Sequence, residues 1–157
     1  MLLRSRLLDA AGFVHGFSTR RGGCSPPPFD SLDCGASAAV DPAAVEENLR
    51  RLAAAACIGR AAFRGVAQVH GSTIHVASEA ASSGVEADAV VATRPGLAPA
   101  IKTADCVPIL LADEATGLVA AVHAGWRGTD AGIAARAVEA LLAAGARREA
   151  LVAAIGP

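Results

Sequence analysis

Between residues 66 and 123 the chain repeats short apolar runs cut by glycine, proline and polar turns, and this rhythm constrains the fold more than any other feature. Residues 66–69 and 73–77 flank Gly71, and residues 87–93 and 97–103 flank Pro95-Gly96, a strong turn signal. Residues 107–111 and 118–123 are apolar runs of buried-strand length, separated by Asp113-Glu-Ala-Thr-Gly117. Strands that follow one another so closely argue against simple βα alternation and for an α+β arrangement around a sheet. A shorter run over residues 14–18 reads as a strand that ends in the Gly- and Pro-rich turns of residues 19–28.

Two helices frame this region. Asp41 is a good N-cap and Pro42 suits a first helical turn. Val45, Leu49 and Leu52 then line one face, and Gly59 marks the expected end. The second helix is expected to be capped by Thr129 or Asp130, to carry an apolar stripe of Ile133, Ala137, Ala140, Leu141 and Ala144, and to close at Gly145. A last strand over residues 150–155 runs into Gly156-Pro157. A core strand in that place leaves an uncovered edge, so either the edge is bare or part of the fold is missing.

The 157 residues fit one domain, with no internal repeat or linker. The apolar fraction is 53%, but alanine supplies much of it, so there is less large hydrophobic surface than the figure suggests. With no tyrosine and one tryptophan, aromatic platforms for stacked bases are scarce. The 14 basic and 15 acidic residues nearly cancel, which gives neither a nucleic-acid footprint nor a polybasic membrane anchor. Residues 107–112, the longest strongly apolar run, are far short of a membrane span, and charges interrupt any signal-peptide core at the N-terminus. A cytoplasmic location is expected. Cys24, Cys34, Cys57 and Cys106 form no CxxC pair, so they read as thiols, ligands or nucleophiles rather than a disulfide frame.

His70, Cys106 and His123 are the candidate metal ligands. They lie far apart in sequence, and spacing alone is weak evidence. Their shared feature is position: each stands where a strand meets a loop, beside a small or turn-forming residue. Zinc accepts imidazole and thiolate together, and three protein ligands leave a fourth position open, the catalytic rather than the structural pattern. An open position can hold water at a lowered pKa, as nucleoside deamination requires. Taken singly, a buried cysteine is more often a small hydrophobe and a histidine a satisfied polar group. Asp105, beside the cysteine, is a candidate partner to a ligand or proton acceptor. Gly125, Arg127 and Gly128, ahead of a helix N-terminus at Thr129-Asp130, offer a phosphate site or an ordinary strand–helix turn. Arg20 and Arg21, in the turn before Gly22-Gly23, offer phosphate contacts or solvated side chains. His75 reads as a strand surface residue, and His15 is uninformative alone.

Gln68-Val-His-Gly71, Thr103-Ala-Asp-Cys-Val-Pro-Ile-Leu110 and His123-Ala-Gly-Trp-Arg-Gly128 together resemble the purine nucleoside phosphorylase family once labelled multicopper polyphenol oxidase or laccase-domain proteins. Gly16-Phe-Ser-Thr-Arg20, Gly22-Gly23, Ser31-Leu32, Glu47-Asn48, Ala87-Asp88-Ala89 and Ile155-Gly156-Pro157 extend the resemblance along the chain. It implies a mixed-sheet α/β/β/α layered sandwich related to a toxin deamidase. Its ligands map onto His70, Cys106 and His123, with zinc the usual metal and copper also reported. The implied activity is phosphorolysis of adenosine, inosine and methylthioadenosine, with adenosine deamination. Asn48 joins Arg20 and Arg127 on the substrate and phosphate side. The family pattern departs at Asp33, where asparagine is usual, and at Leu49, where arginine is usual and Arg50 is next along. Family members continue past the Ile-Gly-Pro motif, so residues 1–157 are expected to hold the N-terminal and central part of the fold.

Four functions compete. The first is a zinc nucleoside enzyme acting on purine nucleosides and inorganic phosphate. The second, a copper polyphenol oxidase, needs many ligands, and His15, His70, His75 and His123 are the only histidines. A third is a metal-free enzyme with Cys106 as nucleophile and His123 as base. The fourth is an inactive zinc-binding fragment.

Overall fold

The computed structural model describes residues 2–35, 39–77 and 84–157. The elements run β1 (Leu2–Leu3), α1 (Arg6–Ala10), β2 (Phe17–Ser18), α2 (Pro42–Ala55), β3 (Phe63–Arg64), β4 (Ile74–Ala77), β5 (Ala89–Ala92), β6 (Ala98–Pro99), β7 (Val107–Asp113), β8 (Val119–Ala124), α3 (Trp126–Asp130), α4 (Ile133–Ala143) and β9 (Leu151–Ile155). The fold is the mixed α/β arrangement that the sequence predicts. Five strands form the central sheet in the order β4-β5-β8-β7-β9. Strands β4 and β5 are parallel, and every other pair in this sheet is antiparallel. The pairs β1-β2 and β3-β6 form separate two-stranded ribbons.

Both faces of the central sheet are covered, which is why its inner strands read as unbroken apolar runs rather than as alternation. On one face Ile133, Ala137 and Leu141 of α4 pack on Ala89, Val91, Leu111, Ala120 and Val122. On the other, Leu8 of α1 packs with Ala112 and Ala154, joined by Phe13, Phe17, Leu110, Val119 and Val152. Many of these core residues are alanines, so helix and sheet backbones approach closely. The β7–β8 turn is the one its sequence indicates. Buried Asp113 accepts from the Ala115 amide at 2.9 Å, from the Thr116 hydroxyl, and from the Arg147 amide at 2.9 Å, which ties the turn to the approach of β9.

The sequence misplaces several boundaries. Helix α2 is capped by Asp41 as expected, its carboxylate accepting from the Ala43 amide at 3.0 Å. It ends at Ala55 rather than near Gly59, because Cys57 takes the left-handed conformation (φ 55°). The Cys57 and Ile58 amides then donate to the Ala54 and Ala53 carbonyls, closing the helix end. The second helix is broken in two. Gly132 (φ 72°) is the N-cap of α4, and neither Thr129 nor Asp130 caps it; both belong to α3, which begins at once after Gly125. Gly145 (φ 103°) does close α4. The expected strand at 97–103 shrinks to Ala98–Pro99, pairing with an unforeseen strand at Phe63–Arg64. The expected strand at 66–69 is reduced to a single bridge from Ala67 to Glu86. Helix α1 was not foreseen. No helix among the described residues is long and apolar enough to cross a membrane.

Candidate metal centre

His70, Cys106 and His123 converge: one ligand atom from each lies within 4.8 Å of the other two. His123 is buried near the end of β8, paired with Pro108 of β7. Alternation puts it on the opposite face to Val122 and Ala124, which pack under α4. Cys106 is half-buried, immediately before β7. His70 is exposed, in the loop that follows the Ala67 bridge, at φ 59°. The two imidazoles meet edge to face, with centroids 4.8 Å apart and planes at 85°.

Three sequence motifs build this point, and each is tied to the others. The Gln68 side-chain amide grips the Lys102 backbone at both ends, donating to its carbonyl and accepting from its N–H, each at 2.7 Å. That clamps the His70 loop to the segment leading into Cys106. Gly128 of α3 lies against Gly71, where an added Cβ would stand 2.6 Å from the Gly71 carbonyl oxygen. Gly125 lies over the ligands themselves. A Cβ there would stand 3.2 Å from the Cys106 sulfur, 3.3 Å from His70 Cδ2 and 3.8 Å from His123 Cε1. The space beside the three ligands thus exists because residue 125 has no side chain. With a donor set of two imidazoles and a thiolate, this cradle fits a borderline-soft ion such as zinc.

Asp88, just ahead of β5, is fully buried, and its carboxylate meets four donors. His123 Nδ1 lies 2.8 Å from Oδ1, and the His70 amide donates to the same oxygen at 2.9 Å. The Gly71 and Val69 amides donate to Oδ2 at 2.7 and 3.3 Å. Burial pushes this carboxyl upward, but the bond to His123 and the three amides outweigh it and hold it below the ordinary carboxylate range. The sequence assigned the carboxylate beside a ligand to Asp105. Asp105 is exposed in the turn before β7, and the carboxylate bonded to His123 is Asp88. One sequence signal was available: Asp88 interrupts an apolar run whose neighbours, Ala87 and Ala89, are fully buried.

The expected phosphate and substrate residues are not gathered as tightly. Arg20 pairs with Asp30 at 3.0 Å beside a shallow cavity of about 390 Å³ lined by Arg20, Arg21, Asp30 and Ser31. Arg127 lies over the exposed Trp126 ring, its guanidinium carbon 4.9 Å from the centroid, next to the ligand-covering Gly125. Asn48 is fully buried and its amide is taken up inside the protein. It donates to Ser25 Oγ (2.8 Å), the Asp33 carbonyl (2.8 Å) and the Ser31 carbonyl (3.3 Å), and accepts from the Cys24 amide (2.8 Å). As placed, it fastens residues 24–33 to α2.

Strands β7 and β8 and the loop after the Ala67 bridge bring two histidines and one cysteine to a single point, a candidate His–Cys–His site on a mixed sheet. Residues 14–157 match the family described as Multi-copper polyphenol oxidoreductase laccase, and the chain belongs to it. It is 41% identical over 141 residues to a purine nucleoside phosphorylase of Mycobacterium tuberculosis, covering 89% of this chain and 56% of that protein. It is 44% identical over 143 residues to the Deinococcus radiodurans purine nucleoside phosphorylase, covering 91% of this chain and 55% of the other. Among solved structures, YlmD of Geobacillus stearothermophilus superposes with a TM-score of 0.81 at 33% identity, over 90% of this chain and 56% of that one. YfiH of Bacillus licheniformis gives 0.80 at 32% identity, over 90% and 57%. The chain spans about half the length of the curated relatives it matches.

Proposed function

We propose that the chain belongs to a zinc-dependent purine nucleoside phosphorylase that cleaves adenosine, inosine and S-methyl-5′-thioadenosine to the free base and (methylthio)ribose 1-phosphate, and that also deaminates adenosine to inosine. The observation that carries this reading is the His70–Cys106–His123 cluster, set in a chain whose relatives are named purine nucleoside phosphorylases. His70, Cys106 and His123 would hold the metal, which would supply Lewis-acid chemistry when bound. In phosphorolysis a phosphate oxygen bonds to the anomeric carbon while the carbon–nitrogen bond breaks, and the base leaves with that electron pair and takes up a proton. The reaction therefore needs an anion held against the sugar and charge relieved on the base. Arg127, one residue beyond Trp126 and two beyond Gly125, is the guanidinium we assign to phosphate, with Arg20 as a second. Asp105, exposed beside Cys106, is the carboxylate we assign to proton transfer with the base.

The test measures zinc content and adenosine phosphorolysis on one preparation. We expect one zinc per chain, phosphate-dependent release of adenine, and loss of both in Cys106→Ala. Activity that needs no phosphate and survives complete zinc removal would overturn the reading.

A second reading has one observation in its favour. Cys106, His123 and Asp88 also form a thiol–imidazole–carboxylate series, the arrangement of a metal-free cysteine enzyme. Activity abolished by thiol alkylation in metal-free protein would select it. The multicopper oxidase named in the family description finds less support, since the one group of three or more metal-ligand side chains among the described residues is this cluster.

A further inference from the structure

We propose that Asp88 is a positioning residue that sets two ligands of the cluster at once. Its carboxylate leaves Nε2 as the ligating nitrogen of His123, and it holds the His70 loop in the left-handed turn that carries that imidazole to the same point. The proposal rests on reading His70, Cys106 and His123 as a metal site.

Each Asp88 oxygen takes two donors: His123 Nδ1 and the His70 amide on Oδ1, the Gly71 and Val69 amides on Oδ2. Both oxygens already accept from backbone amides, so Asp88 is the acceptor here as well and the shared proton belongs to His123 Nδ1. This fixes the tautomer and leaves Nε2 as the nitrogen free to ligate. The strand register reinforces the link, because the His123 amide donates to the Asp88 carbonyl at 2.8 Å. On the other side, three successive amides converge on one anion, a backbone nest formed around a left-handed residue. His70 stands at φ 59°, a conformation a side-chain-bearing residue adopts only when its surroundings over-determine it. The carboxylate supplies that determination. Without it the three amides lose their common acceptor and His70 loses the reason to hold its turn. A single buried side chain thereby couples the exposed ligand to the buried one, which the sequence separates by four strands.

Two measurements test this. Long-range proton–nitrogen spectra of the histidines of the unaltered protein, before and after adding zinc, are expected to show His123 protonated at Nδ1 in both states, with Nε2 shifting on zinc addition. Ligation through Nδ1 overturns the proposal. Asp88→Asn and Asp88→Glu are titrated with zinc against a chromophoric chelator and with cobalt by absorption. We expect zinc affinity to fall by about 10–100-fold. At saturating cobalt the Cys106 thiolate charge-transfer band persists while the ligand-field bands move, which a loss of folding alone does not produce. An unchanged affinity in a folded variant overturns the proposal. If neither variant folds, the histidine spectra decide. Failure of the unaltered protein to take up zinc or cobalt removes the metal reading itself, and the Asp88 proposal with it.

Discussion

At φ 59° His70 occupies backbone space that costs a side-chain-bearing residue about 1–3 kcal/mol, and it does so at the one point where it can join Cys106 and His123. Nothing in Gln68-Val-His-Gly71 announces that conformation. The local signal, Gly71, lies one residue further on. Gly125 is the complementary case, a glycine whose role is space rather than dihedral freedom. Gly125→Ala places a methyl 3.2 Å from the Cys106 sulfur and 3.3 Å from His70, so the ligands themselves must give way. With overpacking costing about 1–3 kcal/mol, zinc affinity is expected to fall by roughly 5- to 100-fold while circular dichroism stays that of the wild type. A chelator-competition titration checks it, and unchanged affinity would show slack in the cluster.

The helices make their own predictions. In α2, Glu47 accepts from Arg50 and Arg51 (both 2.7 Å), and these hydrogen bonds bring its carboxyl down from 4.5 to about 2. A lowered carboxyl contributes stability that is fully present above its unfolded value and is lost as pH falls through the folded one. Acid titration of stability between pH 4.5 and 2 is therefore expected to be shallower in Glu47→Gln than in wild type. At the other end of α2, Cys57 caps the helix in the left-handed region, at φ 55°. Cys57→Gly is expected to raise stability by about 1 kcal/mol, seen as a higher urea midpoint with an unchanged slope. The helix signals in the sequence were sound for the apolar residues Ile133, Ala137 and Leu141 of α4 and for the Asp41 cap of α2, and failed for the cap expected at Thr129 or Asp130. Thr129 and Asp130 have the right chemistry for a cap, but they lie within α3, and the left-handed Gly132 starts α4.

Across the whole molecule the three ligands come from separate stretches, so a bound metal cross-links the His70 loop to β7 and β8. Zinc at a hundredfold above its dissociation constant adds about 2.7 kcal/mol, equivalent to a rise on the order of 5–10 °C in melting temperature for a chain of this size. Removing it with a chelator is expected to lower the melting temperature by that amount in wild type and to change nothing in Cys106→Ala. Calorimetry with and without chelator checks this, and an equal response in both proteins would place the metal elsewhere. The ligands and the strands β7 and β8 that carry two of them were legible in the sequence because apolar runs bounded by turns are local patterns; the strand expected at His70 was not formed. The β3–β6 pairing and the position of Asp88 were not legible, because each depends on partners distant in the chain. By itself the sequence determined which residues can ligate and where the long inner strands β7 and β8 run, since ligand chemistry and apolar periodicity belong to single residues and short windows. Only the tertiary structure decided that Asp88 stands behind His123 and that Asn48 is sealed inside, because burial and hydrogen-bond partnership are set by what the rest of the fold brings alongside.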